Sequence, residues 1–249
     1  METIEAFLAS GDRGPNAAGT CLFLKADALR RTGEFAGAQS LFSKVITEYP
    51  NAKWDDPRIG ATIRVRPKCQ LGCRLAAERD SAVFPEDSAG YTALAWRYLN
   101  KKKLEMARML ATACIEEFQH VAKQQQVLHN QKYPEVLPKL PPSLNQAKKF
   151  FEQFWALYDV GTCWFIMGQS YQEEADGLTD RSDDGVKQAR KCYDQAVRCY
   201  EEILKNYVGA QCFDPSGPWF WSVAKGAEEQ KAIVLNKTAK LPKSGKSVP

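Results

Sequence analysis

The sequence predicts an all-α protein of antiparallel helical hairpins stacked in series, closed by one further helix. Three observations predict it. Apolar residues recur at helical spacing through most of the 249 residues, and hardly any stretch alternates like a half-buried strand. Thr32-Gly33, Pro50 and the run Pro134, Pro138, Pro141, Pro142 cut that pattern into helix-length pieces. Finally, Ala38, Phe42, Val45, Ile46 and Tyr49 reappear as Ala196, Tyr200, Ile203, Leu204 and Tyr207, and the match continues from Ala52 and Asp56-Pro57 to Ala210 and Asp214-Pro215.

Taken in order, a first helix is expected over about 17–31 and its partner over about 35–49, stopped by Pro50. A second hairpin pairs about 88–100 with 104–131, opening on Asp87 or Ser88 as N-cap. Ser143 and Gln146 form a Ser-x-x-Gln capping box, so an unusually long helix should run to about Ala175. Its partner follows a polar loop near Gly185 and reaches about Tyr207. A last helix should begin at Asp214 with Pro215 in its first turn and reach about Leu235. Residues 52–86 are the least legible: Arg58–Arg66 reads as a loop or short strand, and Cys69–Asp80 as a short helix. The expected organisation is one domain over 1–237, with hairpins at about 19–52, 88–131 and 143–210, a capping helix at 214–235 and a flexible basic tail over 238–249.

These hairpins resemble tetratricopeptide repeats, whose unit reads W-x2-L-G-x2-Y, then A-x3-F, then P. Trp164, Met167, Gly168 and Tyr171 reproduce the first half; Ala38, Phe42 and Pro50 reproduce the second, behind Gly33 and Phe35. Leu22, Ala26 and Leu29 supply the first unit's weaker opening helix. The middle unit is degenerate: Tyr91, Leu94, Ala95 and Tyr98 precede Ala107 and Ala111, but Gln119 stands where the closing proline belongs. Residues 52–86 also interrupt the array, which a compact series of such repeats would not allow.

Composition narrows the function. With 44% hydrophobic and 26% charged residues the chain is globular rather than disordered. The net charge of +4 lies in the tail: five of the 34 basic residues, Lys231, Lys237, Lys240, Lys243 and Lys246, follow residue 230 with no acid among them, leaving 29 against 30 acidic residues. A near-neutral body lacks the footprint of a nucleic-acid binder. Eight scattered cysteines without a CxxC pair argue against a disulfide scaffold, and the acidic start with only a short apolar stretch argues against a secretory signal. The longest charge-free run, 160–172, is too short to span a bilayer. A cytoplasmic protein with reduced thiols, no membrane and no specific nucleic acid is expected.

Little chemistry is legible. His120 and His129, flanked by Gln124, Gln125 and Gln126, have no acidic or cysteine partner at helical spacing and read as a solvated face. Cys69 and Cys73 read as buried structural thiols. Asp180, Ser182, Asp184 and Gly185 match the start of a calcium loop, but Lys191 stands where its bidentate Glu is needed, so a polar connector is expected there. No phosphate cradle or nucleophile elbow occurs. No metal, cofactor or catalytic residue is assigned.

The resemblance implies a non-enzymatic adaptor that holds a peptide or helix of a partner protein in a concave groove. An enzyme with a dispersed site, or a self-assembling structural subunit, remains the alternative. In that family the groove is lined mainly by the first helix of each unit. Carried over by position, it would comprise Phe23, Asp27 and Arg30, then Thr92 and Trp96, then Phe165, Gln169 and Gln172. Phe23 and Asp27 stand where the family's carboxylate-binding Lys and Asn would be, which disfavours a terminal-carboxylate ligand. Trp96 either anchors a groove ligand or packs against the 52–86 segment.

Overall fold

A computed structural model describes residues 14–56, 61–79, 85, 87–133, 144–178, 182–214 and 219–242. Eight helices and two short β-hairpins occur among them. The chain divides into two compact units, Met1–Glu86 and Asp87–Pro249.

In the first unit, α1 (Pro15–Arg31) and α2 (Phe35–Glu48) form the expected antiparallel hairpin. Leu22, Phe23 and Ala26 of α1 close over Ala38, Phe42 and Val45 of α2, and this apolar seam is the unit's core. The segment after Pro50 is ordered in two steps. Strand β1 (Lys53–Asp56) pairs antiparallel with β2 (Ala61–Arg64), in register Lys53 to Arg64. Helix α3 (Val65–Ala77) then returns onto α2, burying Val65, Cys69, Leu71 and Leu75. Arg58–Gly60 lies outside the described residues; the rest of the Arg58–Arg66 stretch is strand and the start of α3.

In the second unit, α4 (Ser88–Asn100) and α5 (Leu104–Lys132) make the middle hairpin. Asp87 caps α4 as expected, its carboxylate accepting the Gly90 amide at 2.7 Å. Because no proline stands at Gln119, α5 runs on for 29 residues. Helix α6 (Leu144–Gly177) is the long one; Ser143, its expected cap, lies outside the described residues. It bends at Phe154, where φ is −125° and ψ 26°. Just beyond the bend the Leu157 amide donates to the Gln125 side chain of α5 at 2.9 Å, so a buried glutamine satisfies a backbone group beside the break. Gln126 accepts the Gly209 amide likewise at 2.9 Å. Gln125, Gln126 and His129 are therefore buried and structural, not the solvated face their polarity suggests; His129 packs between the rings of Phe154 and Tyr133. His120 is exposed and bonds Gln124.

Helix α7 (Asp183–Asn206) completes the third hairpin, capped by Ser182, which accepts the Gly185 amide. Ser182 and Asp184 thus belong to a helix start; Asp180 lies outside the described residues. The expected helix at Asp214 is displaced. Strand β3 (Gln211–Asp214) pairs with β4 (Trp219–Ser222), and α8 (Val223–Ala239) begins only after Ser222, whose hydroxyl caps it. An Asp-Pro pair suits a helix start, but here Asp214 ends a strand. Helix α8 packs on α7 and buries Val223 and Ala227, the closing role expected of a terminal element. It also reaches past 237: Thr238 and Ala239 are helical, and the Pro242 carbonyl accepts from Arg190. Residues 243–249 lie outside the described residues.

The repeat visible in the sequence is a repeat of structure. In each unit a hairpin's second helix ends at a tyrosine, a β-hairpin follows, and a third helix starts at a valine. The Val65 amide donates to the Ala52 carbonyl at 3.0 Å, and Val223 to Ala210 at 3.1 Å. Phe23 on Phe42 (6.0 Å between ring centroids) is matched by Phe165 on Tyr200 (5.7 Å). Glycine marks the tightest point: a Cβ at Gly19 would lie 2.5 Å from that of Ala52, and Gly161 meets Ala210 in the same way.

Candidate functional site

Helices α4 and α6 are the first helices of consecutive hairpins, and between them the second unit opens a groove of about 580 Å³. From α4 it is lined by Ala89, Thr92, Ala93 and Trp96, spaced three and four apart so that one face looks into it. Small Ala89 and Ala93 make the room. From α6 come Glu152, Trp155, Tyr158, Asp159 and Thr162, again a single helical face, and Gln211 and Cys212 of β3 close the groove.

The two indoles are held from behind. Trp155 and Phe118 of α5 meet as a T-shaped pair, centroids 5.6 Å apart, and Trp96 lies tilted 6.3 Å from Phe165. The hydroxyls in the wall are turned to their own helices: Thr92 donates to the Ser88 carbonyl and Thr162 to that of Tyr158, each at 2.8 Å. This leaves a largely apolar surface with two carboxylates, Glu152 exposed and Asp159 half-buried. Asp159 accepts the Ser88 hydroxyl. Its carboxyl is pushed up to about 7, chiefly by burial, with the nearby Asp87 adding to the rise and the Ser88 hydrogen bond opposing it. Burial also drives the Cys114 thiol beneath the groove well up.

Of the residues that sequence position brings to a groove, Thr92 and Trp96 line this one. Phe165 does not: it is buried among Tyr200, Trp221 and Trp96, where it supports Trp96 from behind. Gln169 is half-buried, and Gln172 accepts the Tyr200 hydroxyl at 3.1 Å. In the first unit Phe23 is buried on Phe42, and Arg30, wholly buried, bonds the Asp27 carboxylate at 2.7 Å. The interior positions follow from size: a large apolar ring on the seam between two helices is drawn into it. Sequence reasoning missed Trp155, Tyr158 and Asp159. They lie upstream of the Trp164–Tyr171 motif, on turns that α6 adds to the repeat unit; the aromatic run Phe150, Phe151, Phe154, Trp155, Tyr158 was the available signal.

Among the described residues no group of three or more His, Cys, Asp or Glu is placed to hold a metal. Nor is any helix there long and apolar enough to cross a membrane. None of the eight cysteines is joined in a disulfide.

Helices packed in neighbouring pairs, with a groove between successive first helices, define a helical-repeat protein. The family model of the tetratricopeptide repeat matches residues 20–52, which are α1, α2 and the turn to β1, and the chain is a tetratricopeptide-repeat-like all-α protein. No curated protein and no solved structure matches it.

Proposed function

We propose that this chain is a non-enzymatic adaptor of the cytoplasm that holds a peptide or short helix of a partner protein in the groove between α4 and α6. Repeats of this kind serve in general as protein-interaction modules. The observation that carries the reading is the placement of Trp96, Trp155 and Tyr158 along one cleft, two of them braced by rings from behind. Preset aromatic surface suits a peptide, because little side-chain freedom is lost on binding. The near-neutral body gives no reason to invoke nucleic acid.

The test is Trp96→Ala. An aromatic anchor of this kind supplies about 2 kcal/mol, roughly thirtyfold in affinity. Peptides selected on the intact protein should lose that much affinity to the variant while the melting temperature holds. Equal affinity in both proteins refutes the groove.

A further inference from the structure

We infer that the α4–α6 groove recognises a cation, the alkylammonium of a lysine side chain carried by the partner peptide, received between the indoles of Trp96 and Trp155 beside the Asp159 carboxylate. This rests on the peptide-binding reading and names its chemistry. Three features point to it.

The first is sign. Both charged residues lining the groove, Glu152 and Asp159, are acidic, and Asp87 adds a third negative charge close to Asp159. The second is the state of Asp159. Among the described residues it accepts one hydrogen bond, from Ser88, and pairs with no cation. A carboxylate part-way out of water beside apolar rings is an unfavourable group to leave unbalanced. An apolar guest would bury it further, and an anionic guest would meet repulsion; a cation offsets it. The third is the aromatic wall of Trp96, Trp155 and Tyr158, since the faces of tryptophan and tyrosine attract cations.

The choice of ammonium over guanidinium follows from the same hydrogen bond. A guanidinium fork is best met by two free oxygens of one carboxylate, and Asp159 already gives one of its oxygens to Ser88. A point charge needs one.

Ser88 and Asp87 at the start of α4 and Cys114 of α5 interact with Asp159, and Glu152, Tyr158 and Thr162 of α6 with Gln211 and Cys212 of β3 line the groove alongside it. Burial leaves its carboxyl partly protonated near neutrality in the empty groove. An arriving ammonium selects the ionised form, so binding releases a proton and strengthens as pH rises from 6 to 8, by roughly tenfold as the ionised fraction grows.

The test uses the full chain, labelled so that the indole N–H signals of Trp96 and Trp155 are resolved, and three probes: N-acetyl-lysine amide, its uncharged analogue with a methyl group in place of the ammonium, and N-acetyl-arginine amide. The ammonium probe should shift both indoles saturably, tightening about tenfold between pH 6 and 8, and the other two should bind at least tenfold more weakly. Asp159→Asn should weaken the ammonium probe about tenfold and abolish the pH dependence. The pH series on the unaltered protein carries the same test if that variant does not fold. Equal binding of the uncharged analogue, equal binding of the arginine amide, or no shift at either indole overturns the inference. Selected peptides that depend on Trp96 but contain no lysine also overturn it while leaving the peptide reading intact. Probe binding at both indoles with no Trp96-dependent peptide keeps the cation site and removes its carrier.

Discussion

At the scale of single residues, Asp159 makes the sharpest prediction. Its carboxyl sits near 7 in the folded protein against 3.8 for an unperturbed aspartate, so the folded state holds a proton that the unfolded chain gives up. Its contribution is therefore fully present below about pH 4 and is lost as pH rises through 7. Asp159→Asn should melt higher than the natural protein at pH 8, by about 1–2 kcal/mol given the solvent reaching a half-buried group, and nearly together with it at pH 4. Destabilisation at both pH values would show that the Ser88 bond outweighs burial. Gln125 makes a second prediction. Its side chain is the partner of the Leu157 amide, and Gln125→Leu leaves that buried amide unmet, lowering stability by about 1–3 kcal/mol in urea unfolding. The polarity of Gln125 and Gln126 pointed to solvent; the bend at Phe154 and the turn at Gly209 instead draw them inward, which no local pattern of polarity could express.

At the scale of elements, close approach and closure matter most. Gly161 lies against Ala210, and Gly161→Ala should cost about 1–3 kcal/mol by overpacking. Gly177, at the end of the same helix with nothing within 4 Å, should accept alanine with no loss. Comparing the two variants by thermal unfolding separates packing from helix propensity. Helix α8 covers α7 with Val223 and Ala227, so deleting residues 223–249 should collapse the melting transition, whereas deleting 243–249 should leave it unchanged. The expectation of a flexible tail from 238 is therefore overturned over 238–242, because α8 continues through Ala239 and Arg190 holds the Pro242 carbonyl. Apart from the short strand open over 58–66, the elements that escaped the sequence are those of the β-hairpins. Each strand has four residues, and Trp219-Phe220-Trp221-Ser222 shows no alternation to mark a strand. What ties each hairpin down is its pairing and the bond from the following valine to the preceding alanine carbonyl, all of which join residues distant in sequence.

At the scale of the whole molecule, the chain is two units built on one recurring module of hairpin, β-hairpin and third helix, with the middle hairpin inserted only in the second. A far-ultraviolet spectrum should be dominated by helix, and reducing agent should not alter the melt, since no cysteine is joined in a disulfide. By itself the sequence determined the helices, their order, most of their ends and the likeness between its two halves, because spacing, caps and proline stops act between residues near in the chain. It also determined that Trp96 and Thr92 share a face. Only the tertiary structure decided that Phe23, Arg30 and Phe165 turn inward, that Gln125 serves a bent neighbour, and that Trp155, Tyr158 and Asp159 stand across from Trp96. Those outcomes depend on which helix lies beside which and on the room left between them, and packing of that kind is settled by contacts that no window along the chain contains.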